Sequence, residues 1–213
     1  MLGVAVTTSS ICVGARCPWV RAGIGAVSTQ NVTLPSIGPM VLDQIGHGMS
    51  AEQAVGHVIG RIEYREYRQV AAIDNRGHGG IYSGARTLGT HAATIGNHCV
   101  AAGNLLRHAT LPEALVERFH ELEEFHLAER LLSALETGLH EAGGEEGPVH
   151  SASLLVHSDY GWPLVDLRVD WDNDGPVAAL RAIWTDYEPQ MNDYVLRALN
   201  PGEAPSYGVP GDE

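Results

Sequence analysis

The first 31 residues constrain the fold most, because their apolar runs are too short to form helices. The runs Leu2–Val6, Ile11–Val13 and Gly23–Val27 are separated by small hydroxyl residues, two cysteines and the Pro18–Trp19 pair. Short runs rich in Val, Ile and Thr favour strands. The third run leads into Ser28–Asn31, which predicts a buried strand that ends in hydroxyl and amide groups. Such a strand end suits a reaction centre, but polar residues that lead into a loop explain it equally well.

The rest of the chain alternates amphipathic helical segments with β-prone segments. Helices are predicted over 34–48, 50–62, 110–124, 128–142, 174–187 and up to 199, and strands over 69–74, 80–83, 90–95, 98–101, 151–157 and 163–170. Capping boxes at Ser50–Gln53 and Thr110–Glu113, and a cap at Asp174, mark three helix starts. This order predicts an α+β fold, a four-layer αββα sandwich of two antiparallel sheets. We expect one domain over residues 1–199 and a Pro/Gly-rich tail over 200–213.

The basic residues exclude several classes of enzyme. All 13 of them are arginine, so the chain has no P-loop lysine, Schiff-base lysine or Ser–Lys dyad. The 26 acidic residues give a net charge of -13, which repels phosphate backbones, so no nucleic-acid partner is expected. The longest apolar runs fall short of the roughly 18 residues that a membrane helix needs, so no membrane partner is expected either.

Cysteine and histidine usage predicts a cytoplasmic protein that needs no cofactor. The three cysteines, Cys12, Cys17 and Cys99, are an odd number without a CxxC motif, which is typical of reduced thiols. The 11 histidines form no recognised metal signature, although the pairs His91 with His98 and His120 with His126 leave a chance meeting open. We therefore predict neither a metal nor a cofactor.

Three polar residues are the predicted catalytic group: Thr29, Gln30 and Asn104. Amide hydrolysis needs hydrogen-bond donors aimed at the developing oxyanion, and Gln and Asn supply neutral donors. Asn104 follows Gly103 just after a predicted strand, where a ligand can approach the backbone; a helix cap or a turn is the alternative role. The hydroxyl groups of residues 7–10 offer a further, internal nucleophile.

Three charged residues are the predicted substrate-binding group: Arg21, Asp166 and Arg168. Asp166 and Arg168 share one face of a predicted strand, and the guanidinium fork of Arg168 suits a carboxylate or amide. A solvated strand face with a modest ion pair explains the same pattern. Arg21 either stacks on Trp19 or anchors an anion, and the sequence leaves both open.

Several segments together resemble a known bacterial family. The N-terminal pattern combines L-G-V-A-V with P-W-x-R-A-G-x-G-A-V-x-T-Q. In order along the chain follow Ala102–Leu106, Gly143–Gly144, His150–Ala152, Val165–Asp170 and Ala204–Asp212. These segments resemble domain-of-unknown-function family 1028. The resemblance implies the αββα fold of the Ntn (N-terminal nucleophile) hydrolases, and an amidohydrolase acting on a small amide or related C–N bond; it implies no particular substrate.

The start of the chain departs from that family. Family members usually begin with an extra short strand, about Met-Thr-Phe-Ser-Ile-Val-Ala, whereas this sequence begins at Met1-Leu2. An N-terminal nucleophile needs a Cys, Ser or Thr with a free α-amine, which neither residue provides. Either the start of the chain has been assigned too late, or the protein works without this chemistry, or it is not an enzyme. A non-catalytic small-molecule-binding or assembly protein is the alternative function. A missing edge strand would also leave backbone groups unpaired near residues 2–8, which predicts a homo-oligomer.

Overall fold

A computed structural model describes residues 1–211 of the chain, so Asp212 of the tail motif and Glu213 at the end of the predicted tail lie outside the described residues. The strands are β1 Leu2–Thr8, β2 Pro18–Arg21, β3 Gly25–Asn31, β4 Arg68–Asp74, β5 Gly79–Ser83, β6 Ala92–Gly96, β7 Cys99–Gly103, β8 Ser151–His157 and β9 Val165–Val169. The α-helices are α1 Ile37–Gly46, α2 Ala51–Ile59, α3 Leu111–Glu121, α4 Leu127–His140, α5 Pro176–Tyr187 and α6 Met191–Leu199.

The strands form two sheets and a separate hairpin, and every pairing is antiparallel. One sheet has the order β1-β8-β9, the other has the order β2-β3-β4-β5, and β6 pairs with β7. Helices α1 and α2 pack on the outer face of the four-stranded sheet, while α4 and α5 pack on the outer face of the three-stranded sheet. The predicted four-layer α+β sandwich is thereby confirmed.

Two apolar cores hold the helix layers to their sheets. On one side Val27, Val70 and Ala72 are completely buried beneath α1 and α2. On the other side Trp184 and Leu132 are buried against β8 and β9. Burying a large aliphatic or aromatic side chain contributes about 1.5–3 kcal/mol, so each helix layer is held mainly by this burial.

Strand β9 follows the predicted alternation. Val165, Leu167 and Val169 are buried toward the helices, while Asp166 and Arg168 are exposed on the opposite face. Because neighbouring strand residues point to opposite faces, this pattern fixes the register against β8.

The predicted strand at Ile11–Val13 is wrong. Strand β2 instead begins at the Pro18–Trp19 pair, which separates two of the predicted strands. Cys12 is left-handed, with φ 55°, and a single 3-10 turn follows at Val13–Ala15. Strand β2 begins at Pro18 and pairs with β3 alone, so it is an edge strand. An edge strand tolerates proline because only one of its sides needs backbone N–H donors.

The predicted capping box of α2 is confirmed, whereas the predicted caps of α3 and α5 are wrong. The Ser50 hydroxyl accepts from the Gln53 N–H at 3.3 Å, and the Gln53 side chain accepts from the Ser50 N–H at 3.0 Å. Thr110 instead has helical dihedrals and its side chain makes no cap bond. Gly175, rather than Asp174, precedes α5.

The described part of the Pro/Gly-rich tail folds back on α6. A 3-10 turn covers Pro201–Glu203. The Arg197 guanidinium lies 4.0 Å from the centre of the Tyr207 ring and donates to the Pro205 carbonyl at 3.1 Å. A cation–π contact of this kind explains why a Pro/Gly-rich segment is held against a helix.

Candidate functional site

A cavity of about 530 Å³ lies where the two sheets separate. Every residue of β1 and of β7 lines it, and β3 and β4 contribute part of their inner faces. Apolar side chains from α3 and α4, including Leu115, Phe119, Leu131 and Leu135, form another wall. Strand β1 is an edge strand, and within residues 1–211 no strand pairs with its outer edge. The cavity therefore combines apolar walls with a strand edge that carries free backbone donors and acceptors.

A chain of side-chain amides lies on the inner faces of β3 and β4. Gln69 is fully buried, and its Oε1 accepts from Gln30 Nε2 at 2.8 Å and from Asn104 Nδ2 at 3.3 Å. Gln69 Nε2 donates to Ser83 Oγ and to the Gly103 carbonyl, each at 3.1 Å. Every hydrogen-bonding atom of this buried amide thus has a partner, as burial requires.

The two ends of the amide chain differ in what they leave for a ligand. Gln30 Nε2 also donates to the Ala102 carbonyl at 3.1 Å, so both of its N–H groups are used. The Ser28 hydroxyl donates to Gln30 Oε1 at 3.1 Å. Asn104 is half-buried, and the Nδ2 bond to Gln69 leaves it one further N–H. Asn104 is therefore the member best able to donate to a molecule in the cavity.

Thr29 lies on the opposite face of β3 from Gln30. It is fully buried toward α1, and its hydroxyl donates to the Leu34 carbonyl at 3.4 Å. Successive strand residues alternate between faces, so the cavity side of β3 carries Ser28 and Gln30 and excludes Thr29. Of the three predicted catalytic residues, Gln30 and Asn104 are brought together and Thr29 is separated from them.

A serine–carboxylate pair lies on the cavity wall just beyond β1. The Ser9 hydroxyl donates to Glu145 Oε1 at 2.7 Å, and the Ser9 N–H donates to Glu145 Oε2 at 3.2 Å. Burial raises the pKa of the Glu145 carboxyl, and the bonds from Ser9 partly oppose this effect. The Glu146 N–H donates to the Leu105 carbonyl at 2.7 Å, which ties this segment to the residue after Asn104.

The three predicted substrate-binding residues lie outside the cavity lining. Arg21 pairs with Asp43 of α1 at 2.8 Å, and both side chains are largely exposed. Asp166 accepts two bonds from Arg168, at 2.8 and 3.0 Å, and these bonds raise the pKa of Arg168. This exposed pair lies on β9, the far edge of the sheet from β1.

Sequence reasoning did not identify Gln69 or Glu145. Gln69 is the polar first residue of the predicted strand 69–74. A polar residue at the start of an otherwise apolar strand is the only feature of the sequence that could have marked it as a site residue. Glu145 follows a double-glycine turn and meets Ser9 across 136 residues of sequence. A contact over that separation depends on the complete fold, so no local pattern marks it.

The histidines are dispersed in the described structure. Within residues 1–211 no group of three or more His, Cys, Asp or Glu side chains is arranged to hold a metal ion. His126 caps α4 and stacks on Trp184, whereas His120 approaches Cys99. The helices described for this chain include none long and apolar enough to cross a membrane.

Comparison with known proteins identifies the family of the chain. No curated protein matches it significantly. The crystal structure of protein SPO2555 from Silicibacter pomeroyi, described under the family model DUF1028, is similar, with 28% sequence identity and a TM-score of 0.82 over 90% of this chain and 83% of that one. The family model DUF1028, a family of unknown function, matches residues 1–180. The chain therefore belongs to the DUF1028 family.

Proposed function

We propose that this protein is a hydrolase with an Ntn-like fold that cleaves a small amide or related C–N bond, with the internal Ser9 in place of an N-terminal nucleophile. The observation that carries the proposal is the 2.7 Å bond from the Ser9 hydroxyl to Glu145 on the cavity wall. A serine hydroxyl is a weak nucleophile until an adjacent base takes its proton. Because burial raises the pKa of Glu145, its carboxylate is a better base than an exposed one.

The proposed reaction proceeds through an acyl-enzyme. Ser9 Oγ attacks the amide carbon while its proton passes to Glu145. The carbonyl oxygen becomes an oxyanion, for which the remaining N–H of Asn104 is the proposed donor. The C–N bond then breaks, the leaving nitrogen takes the proton from Glu145, and water hydrolyses the ester on Ser9. The cavity lining of neutral amides and apolar side chains suits an uncharged, amide-containing molecule.

The test is the release of ammonia or amine from a panel of uncharged primary and N-alkyl amides. We expect Ser9→Ala and Glu145→Gln each to lower turnover by roughly 10²-fold or more, since each removes a group that acts in the attack. Ser10→Ala is the matched control, because Ser10 is an exposed neighbour. Unchanged turnover in Ser9→Ala, in a variant that melts at the wild-type temperature, would refute the assignment.

A non-catalytic small-molecule-binding protein is the second candidate function. It is favoured by the saturation of Gln30 and Gln69, whose N–H groups are all engaged within the protein. Such an amide chain can shape a binding surface without supplying oxyanion donors. Amides from the same panel that raise the melting temperature of the wild type but not of Asn104→Ala, with no amine released, would support this function.

We also propose that the protein is a cytoplasmic homo-oligomer. All three cysteines are free thiols, as is usual in a reducing compartment. The unpaired outer edge of β1 is a surface that a second copy can cover. We expect light scattering to give at least twice the 22.8 kDa mass of one chain. A monodisperse monomer would contradict this proposal.

A further inference from the structure

A second reactive pair lies at the other end of β7 from Asn104. Cys99 Sγ is 3.5 Å from His120 Nε2, and His120 Nδ1 is 3.7 Å from Glu123 Oε1. Cys99 opens β7 whereas Asn104 follows its end, so at about 3.3 Å per residue the two ends are roughly 13 Å apart. The thiol therefore lies well apart from Asn104, the proposed oxyanion donor.

The three side chains are ordered as a thiol, a base and an acid. With its proton on Nδ1, the imidazole turns that proton toward Glu123 and presents the Nε2 lone pair to the thiol. Gly96 leaves room for this contact, because a Cβ there would lie 2.8 Å from Cys99 Sγ and 3.1 Å from His120 Nε2. A side chain at position 96 would therefore disturb the pair.

The neighbouring groups explain why the thiol needs a base. Burial raises the pKa of Cys99, while a hydrogen bond with the Gly96 backbone and, to a smaller extent, the charge of Arg130 oppose that effect. The Arg130 guanidinium is held in place over the Phe119 ring, 3.8 Å from its centre, and donates to the Phe119 carbonyl. A thiol of this kind stays protonated at neutral pH, so its reactivity depends on proton transfer to His120.

The other two cysteines lack this arrangement. Cys17 is buried, its Sγ is 3.7 Å from the Thr33 hydroxyl, and burial raises its thiol pKa. Cys12 is half-buried, as Cys99 is. Of the three cysteines, Cys99 is the one whose sulfur contacts a histidine in the described part of the chain. Cys12 therefore serves as an internal control of similar exposure.

We propose that Cys99 and His120 form a thiol-exchange site for small-molecule disulfides that enter the cavity. Cys99 lines that cavity and is partly exposed. His120 takes the thiol proton as Cys99 Sγ attacks one sulfur of the disulfide. The S–S bond of the reagent breaks, a mixed disulfide forms on Cys99, and the leaving thiolate takes the proton from His120. One disulfide and one protein thiol thus give one mixed disulfide and one small thiol.

The test uses the full chain with substoichiometric 5,5′-dithiobis(2-nitrobenzoic acid), followed by peptide mass spectrometry to locate the mixed disulfide. We expect Cys99 to react roughly tenfold or more faster than Cys12. His120→Ala should slow the reaction of Cys99 by roughly the same factor and leave the rate of Cys12 unchanged.

The controls separate the proposed role from a general loss of structure. His140→Ala removes an exposed histidine of α4 and should change neither rate. Dithiothreitol should restore the free thiol of Cys99. Preferential modification of Cys12, or an unchanged rate of Cys99 in His120→Ala, would overturn the proposal. If His120→Ala unfolds, Cys12 and Cys17 will react faster as well, and His120→Asn, with a smaller change in shape, then decides the point.

Discussion

The two sides of the four-stranded sheet are packed in opposite ways. On the outer side, α1 and α2 bury Val27, Val70 and Ala72 completely. On the inner side, the same strands present Ser28 and Gln30 to a cavity of about 530 Å³, and the buried Gln69 holds Gln30 by a hydrogen bond. One layer of backbone thus supports an apolar core on one face and polar groups on the other. The difference suggests that the core supplies stability while the cavity is free to carry chemistry.

Helix α4 allows the same contrast to be tested most strongly at the three-stranded sheet, because it borders both the core of that sheet and the cavity. Leu132 is fully buried in the core against β8, whereas Leu135 is half-buried at the edge of that core and lines the cavity. We expect Leu132→Ala to lower the free energy of unfolding by about 3 kcal/mol, since it opens a new void in a packed core. Leu135→Ala enlarges an existing cavity and should cost roughly 1 kcal/mol.

Urea denaturation of both variants measures this difference directly. The substitutions are chemically identical and lie three residues apart on one helix, so helix propensity cancels between them. Equal losses of stability would show that the cavity wall is as tightly packed as the core and would remove the contrast.

A smaller effect tests whether the cavity holds groups at a cost to stability. Burial raises the folded-state pKa of Glu145 above its ordinary value of 4.5, so the folded protein binds the proton more tightly than the unfolded chain does. The protonated Glu145 carboxyl therefore contributes to stability below pH 4.5, and this contribution is lost as the pH rises through the folded-state pKa. Glu145→Gln should remove this loss, so the variant should gain stability relative to the wild type as the pH rises from 4 to 7.

The measurement is the free energy of unfolding from pH 4 to 7 for the wild type and two variants. Glu146→Gln is the control, because Glu146 is the exposed neighbour, and its effect should stay within about 0.5 kcal/mol. If Glu145→Gln is instead less stable than the wild type at pH 7, the bonds from Ser9 outweigh the cost of burying the charge.

The parts of the fold that the sequence predicted depend on local patterns. The capping box at Ser50 and the alternation from Val165 to Val169 are fixed by neighbouring residues, and both were confirmed. The strand predicted at Ile11–Val13 is wrong because Cys12 adopts a left-handed conformation and its backbone N–H donates to the distant Asp170 carbonyl. A run of three apolar residues carries too little information to predict such a tertiary contact.

The candidate site was predicted only where its residues end a recognisable strand. Gln30 and Asn104 follow apolar strands, so their proximity to one another was within reach of sequence reasoning. The face of each residue was harder to assign, because shifting a strand by one position exchanges its two sides, and Thr29 was misplaced in this way. Glu145 joins Ser9 only through the tertiary fold, which no motif encodes.

The pairing of β1 with β8 has a consequence for synthesis. Leu2 lies opposite His157, so during synthesis β1 waits for a partner strand that is made more than a hundred residues later. At roughly 5–20 residues per second, that delay is on the order of ten seconds or more. During this interval the apolar side chains of β1 have no sheet to pack in, so the nascent chain carries an exposed β-prone segment until β8 has been made.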